Sequence, residues 1–435
     1  MTLKSFIYTF IFCSAAFTLS AQHNTPKPDA PTTEHHAPDA AQGTITDHTP
    51  AHAHDACSPV AEDPDKYDPV PAVMHHIGDA HQFHIIGNVH LPLPVFAYDT
   101  EGGLTAGLSS MFDDGKKAVN GFVLAHDVVK KAIGLPKEEL ELDEIHAGEG
   151  HYSFAKEEMV DGKPIDKYYV KYKGQCYELE EGRKLTSMGA SWIDFSITKN
   201  VFTMLMAMGL IGFAFFTAAN YYKKNPNKAP SGLTNVLEPF IVFIRDEVCK
   251  PSIGPKYEKY VPFITSLFFF ILFNNLLGML PFFPFGANVM GNISSTIVLA
   301  LLVFIVMHLN SNANYWKHIF WMPGVPVGIK ILMLPIEVMS IFVKPFTLLI
   351  RLFANITAGH VIILTFVSLI FVFGNAGKSM GGTFAGTLVA VPFTAFMNLL
   401  ELLVAFLQAF IFSLLASIYI GSAIEEHHHD DAHAH

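Results

Sequence analysis

Residues Ile331–Phe373 read ILMLPIEVMSIFVKPFTLLIRLFANITAGHVIILTFVSLIFVF, and their length decides the fold. A helix of roughly 40 residues is about 60 Å long, whereas the hydrocarbon core of a bilayer is about 30 Å thick. A second apolar run of similar length, Gly386–Ile424, follows after a short break. Neither run can stand upright in a membrane. Both must tilt steeply, bend or lie partly in the membrane plane, with Pro335, Pro345 and Pro392 as candidate bend points. Working outward, Val201–Tyr222, Pro262–Pro281 and Ile293–Leu309 are apolar runs of ordinary spanning length. The pattern predicts an all-α polytopic membrane domain with five transmembrane helices, the last two long, tilted and paired as an antiparallel hairpin.

Only 15% of the 435 residues are charged and 51% are hydrophobic, and the charges divide unevenly. Gln22 to Thr198 carries 14 basic and 29 acidic residues, whereas Lys199 to the end carries 13 and 10. The two parts belong to different solvents. Residues 1–21 have a basic start, an apolar stretch from Phe6 to Leu19 and the small pair Ser20-Ala21, the form of a cleavable signal peptide. Residues 22–71 are rich in His, Pro and Ala with few large apolar side chains, which predicts a disordered leader. Its His35, His36, His48, His52 and His54 fit a polar leader better than a metal site. Residues 72–190 hold short strand-like stretches, Phe83 to Ile86, Leu91 to Tyr98 and Tyr168 to Tyr172, and predict a small exported α+β domain. The membrane domain covers 191–426, and a His-rich tail covers 427–435. Cys57 and Cys176 both fall on the exported part, where a disulfide is open to them, while Cys249 falls on a loop of the other side.

Lysines and arginines orient the helices. Lys223, Lys224, Lys228, Arg245, Lys250, Lys256 and Lys259 lie between the first two apolar runs, and Lys317 and Lys330 lie in the next loop on that side. The opposite loops hold only Lys378. The positive-inside rule therefore places the N-terminal domain outside and the C-terminus inside.

The chemistry resides in charges that lie in apolar helix. Glu337, Lys344 and Arg351 are spaced by sevens, within about 40° of one helical stripe. Arg351 is too deep to reach the interface, so it must meet a polar partner, a water cavity or another subunit. Lys344 admits two readings, a snorkelling side chain or a functional one. In an antiparallel hairpin, facing residues keep a constant sum of numbers. His360 with Glu401 sums to 761, and Arg351 with Gln408 to 759. One register thus pairs an imidazole with a carboxyl group and places an amide where it can orient a guanidinium. Asn274 and Asn275, with Asn292, Ser294 and Ser295, are equally readable as lining of a water path or as helix–helix hydrogen-bonding groups.

These motifs have a known counterpart. Leu334-Pro335-Ile336-Glu337, Lys344-Pro345, the stretch from Arg351 to His360, Leu407 to Phe412, and Phe273 to Gly278 with Leu280-Pro281 resemble the a subunit of F-type ATP synthase, over roughly Ser191 to Glu426. The resemblance implies that the chain provides two proton half-channels, that Arg351 faces a rotating ring of c subunits, and that Glu337, Asn355, His360, Glu401 and Gln408 belong to the proton path. It implies partners in the c-ring, the b-subunit peripheral stalk and the rest of the complex. It places the chain in the bacterial inner membrane, with no cofactor, no nucleic acid and no ATP chemistry of its own. Many members carry glutamate at the position of His360 and histidine at that of Glu401. The exchange here preserves the acid–imidazole pair. A secondary transporter with a midmembrane ionisable site would favour inverted repeats, which this sequence lacks. A mere membrane anchor for a receptor domain has no need of Arg351, Glu337 and Glu401.

Overall fold

The computed structural model describes residues 69, 73, 77–86, 89–100, 102–145, 152–160, 163–182, 192–280, 285–321, 326–375 and 378–424. The signal segment, almost all of the leader and the His-rich tail lie outside them. The expected strand stretches belong to a larger β-rich assembly. β1 (Gln82–Ile86) pairs antiparallel with β2 (Val89–Pro92), and β3 (Pro94–Asp99) with β4 (Gly103–Leu108). After a 3₁₀ segment, Ser109–Gly115, come β5 (Lys117–Val119), β6 (Phe122–Ala125), β7 (Val128–Ala132) and β8 (Leu140–Glu141). β9 (Ser153–Val160), β10 (Lys163–Tyr172) and β11 (Gln175–Glu180) complete a seven-stranded sheet of order β8-β5-β6-β7-β11-β10-β9. β12 (Trp192–Asp194) returns to make a three-stranded sheet, β12-β3-β4.

Turn chemistry explains the hairpins. Asn120-Gly121, His126-Asp127 and Lys173-Gly174 each join neighbouring strands with φ between 49° and 81° at both positions. That is the two-residue loop whose twist matches paired strands, and Asn-Gly is its preferred sequence. Between the sheets, Val95, Ala97, Phe112 and Phe122 pack around Trp192, with the Phe122 and Trp192 rings edge to face at 5.0 Å.

The β-rich part is joined to the first long helix, α1 (Lys199–Lys224), without slack. Thr198 caps the helix by accepting from the Val201 amide. The Lys199 amide donates to the Ala80 carbonyl at 2.7 Å, and the Asn200 amide to Asp79 Oδ1 at 3.1 Å. Beside this clamp, Nε2 of buried His81 lies 2.9 Å from Asp194 Oδ2, while its Nδ1 accepts from the Val129 amide. Burial disfavours the charged imidazole, but the charge and hydrogen bond of Asp194, with the charge of Asp79, outweigh it and hold His81 above its usual range. Burial likewise works against the Asp194 carboxylate. The His81 charge and the hydrogen bonds from His81 and Ser196 outweigh it and hold Asp194 low.

The remainder is helical. α2 (Leu233–Phe243) runs through a π-helical stretch, Ile244–Cys249, into α3 (Lys250–Ile253). α4 (Val261–Gly278) and α5 (Ile293–Leu309) follow, and α6 (Ala313–Phe320) leaves α5 at 103°. Two helices then dominate the molecule, α7 (Val327–Phe373) and α8 (Met380–Ile424), with 47 and 45 residues. Among the described residues, four helices are long and apolar enough to cross a membrane, or five when α5 and α6 count as one broken span. Pro335, Pro345 and Pro392 all lie inside continuous helix. The stretch between α1 and α4, read from sequence as a charged loop, is thus partly helical. Its α3 meets α8 closely, and a Cβ on Gly421 would stand 1.9 Å from the Ser252 carbonyl oxygen.

Candidate functional site

The site is built where α7 and α8 approach each other, the C-terminal end of α4 and the N-terminal end of α5. Both long helices are apolar because they face lipid and one another. A polar side chain on their shared seam is therefore held in low dielectric, where it needs a partner. His360 Nδ1 lies 3.5 Å from Glu401 Oε1, with the carboxyl group almost fully buried. That distance is long for a hydrogen bond, and Glu401 Oε1 finds no such partner among the described residues. Gly359 makes the approach possible. A Cβ there would stand 3.1 Å from Glu401 Oε1, closer than side chains ordinarily pack. Gly278, at the end of α4, packs tightly on the Ala287 carbonyl, 3.0 Å from where a Cβ would stand, and faces the other imidazole nitrogen, His360 Nε2, at an ordinary contact distance of 3.8 Å.

Further polar groups surround the pair. Asn274 and Asn275 are buried on α4; Asn275 Nδ2 donates to the Ala405 carbonyl and Asn274 Nδ2 to that of Phe270. Their Oδ1 atoms have no hydrogen-bond partner among the described residues. In the α4–α5 connection, Asn288 Oδ1 accepts from the Gly291 amide, and Asn292 Oδ1 caps α5 by accepting from Ser294. The Nδ2 atoms of both are buried and unpaired there too. Thr357 Oγ1 donates to the Gly291 carbonyl and ties this connection to α7. Asn288, Thr357, Gly278 and Gly359 did not emerge from sequence. A short polar residue among apolar ones was the available signal for Asn288, while the glycines act by lacking a side chain.

Arg351 lies half-buried on α7, nine residues before His360, and makes no ion pair among the described residues. Gln408 is buried on α8. No hydrogen bond joins the two, because the constant-sum register fails over so long a hairpin. The sum of facing residue numbers rises from 755, where the Phe373 carbonyl meets Gly382, to 763, where Lys344 Nζ sits 5.6 Å over the Tyr419 ring. Asn355 is exposed and Glu337 half-exposed. Among the described residues no cluster of three metal-binding side chains occurs.

The arrangement defines a class: a multi-pass helical membrane protein with titratable and amide side chains gathered along the seam of two very long helices. The model of the ATP synthase A chain family matches residues 201–421, and a model of a domain of unknown function matches 72–154. The chain is 40% identical over 249 residues to ATP synthase subunit a of Chloroherpeton thalassium, covering 56% of this chain and 71% of that one. It is 39% identical over 248 residues to ATP synthase subunit a 2 of Prosthecochloris aestuarii, covering 56% and 73%. With ATP synthase subunit a of Myxococcus xanthus the figures are 36% over 262 residues, 59% and 82%. The chain belongs to the ATP synthase subunit a family, whose members are non-catalytic, proton-translocating components of that complex.

Proposed function

We propose that this subunit supplies two offset aqueous half-channels, one open to each side of the membrane, and that Arg351 separates them at the face turned to a rotating c-ring. A proton enters one half-channel, neutralises a ring carboxylate, rides the ring and leaves by the other. Arg351 favours the ionised form of each arriving carboxylate and bars direct passage between the half-channels. The observation that carries this reading is a guanidinium on a lipid-length helix with no carboxylate paired to it among the described residues. Its countercharge has to arrive from another subunit.

His360 and Glu401 form a proton-accepting pair, with Asn274, Asn275, Asn355 and Gln408 as polar lining. Glu337 and Lys344, on the same stripe as Arg351, belong to the inward half. The b-subunit peripheral stalk holds the assembly still while the ring turns. The chain lies in a bacterial inner membrane with residues 72–190 exported and the C-terminus in the cytoplasm. Replacement of Arg351 by Ala in the assembled, reconstituted complex tests the reading. Synthesis driven by a proton gradient is expected to vanish, and synthesis at the parental rate would refute it.

A further inference from the structure

The sheet β12-β3-β4 carries an apolar outward face. Strand alternation sends Val95, Ala97 and Trp192 inward, where each is fully buried. The opposite face carries Pro94, Phe96 and Tyr98 of β3 and, directly across the ladder, Leu108, Ala106 and Leu104 of β4. Ile193 extends it on β12, opposite Tyr98, and Phe195 follows opposite Phe96. None of these eight side chains is charged. Leu104 is 63% exposed, Phe195 56% and Leu108 49%. An uncharged apolar surface of this kind marks an interaction site.

We propose that this face docks on the headgroup–acyl boundary of the bilayer on the side where α1 begins. The structure holds it there. Phe195 precedes Lys199 by four residues, about 13 Å of extended chain. That stretch is itself pinned: the Phe195 amide donates to the Phe96 carbonyl, Ile197 to Pro94, and Lys199 to Ala80. The sheet therefore cannot swing away from the start of α1. Below it, Leu205, Leu210, Phe213 and Phe216 are exposed along α1, so apolar surface resumes where the helix enters lipid. Tyr98 is a side-chain type enriched at such boundaries, and Phe and Leu are the types that interfacial segments turn toward the acyl chains.

The test uses the full chain with Cys249→Ser, bearing Leu104→Cys or Phe195→Cys labelled with an environment-sensitive fluorophore, and Lys173→Cys in the β10–β11 turn as reference. Vesicles of phosphatidylethanolamine and phosphatidylglycerol carry either nitroxide lipids or external iodide. At positions 104 and 195 the lipid nitroxide is expected to quench several-fold more than at 173, and iodide several-fold less. Equal iodide quenching at all three positions overturns the proposal. Shielding from both quenchers in vesicles holding the whole complex overturns it too, and assigns the face to a protein partner.

Discussion

His360 and Glu401 meet across the α7–α8 seam with 3.5 Å between Nδ1 and Oε1, and Gly359, by lacking a side chain, leaves room for the Glu401 carboxyl group. A relay needs the two groups but not a particular order. His360→Ala and Glu401→Gln are each expected to slow proton uptake by about 100-fold, the low end for a positioned proton-transfer group. The double exchange His360→Glu with Glu401→His should restore most of the rate. Uptake into vesicles, followed with an entrapped pH dye, checks both. Unchanged rates in the single variants would remove the relay.

Gly421 lets α8 lie against α3. An added methyl group would collide with the Ser252 carbonyl oxygen, which is backbone and cannot rotate aside. Gly421→Ala should destabilise the helical bundle by about 1–3 kcal/mol, the usual cost of overpacking. The thermal midpoint of the purified subunit should fall, while Gly209→Ala on α1, where a Cβ meets nothing within 4 Å, should not lower it.

Long apolar runs were readable because lipid forces hydrophobicity along their whole length: α5 spans Ile293–Leu309, the run seen in sequence. The pairing of His360 with Glu401 was readable from hairpin arithmetic near that point. The same arithmetic failed for Arg351 and Gln408, since the register slides along helices of this length, and no residue type announces the slide. The helices α2 and α3 were hidden because Pro239 inside the first reads as a helix breaker and the second is only four residues long. In the β-rich part, Asn120-Gly121 was a turn signal in plain view. The strands beside it, of three and four residues, are too short for alternation to declare them.

The His81–Asp194 pair makes the β-rich part pH-sensitive on both sides. His81 is raised, so its contribution is complete below its ordinary value of about 6.5 and is lost as pH climbs through the higher folded value. Asp194 is lowered, so its contribution is complete above about 3.9 and is lost as pH falls through the lower folded value. Stability from the pair should be greatest in mildly acid solution. Protection of the strand amides, taken relative to their intrinsic exchange rate at each pH, should fall above neutrality in the parent, and His81→Gln should flatten that alkaline limb. An identical pH profile in the two proteins would exclude the pair as its source.

Cys176 is disulfide-bonded, and Cys249 is a free, buried thiol. If residues 72–190 are exported, reduction followed by a membrane-impermeant maleimide on right-side-out vesicles should label Cys176. Labelling confined to inside-out vesicles would reverse the orientation. Reduction should also cost the β-rich part about 2–4 kcal/mol.

The hydrogen bonds from Lys199 and Asn200 to Ala80 and Asp79 carry a mechanical consequence. A hinge of several free residues would let the strands drift while the helices stayed put; this joint behaves as a weld. A sideways pull on the sheet arrives at α1 as leverage, and α1 hands it to α4 where the Phe215 and Phe269 rings touch. Whatever grips the strands thereby also steadies the bundle beneath them.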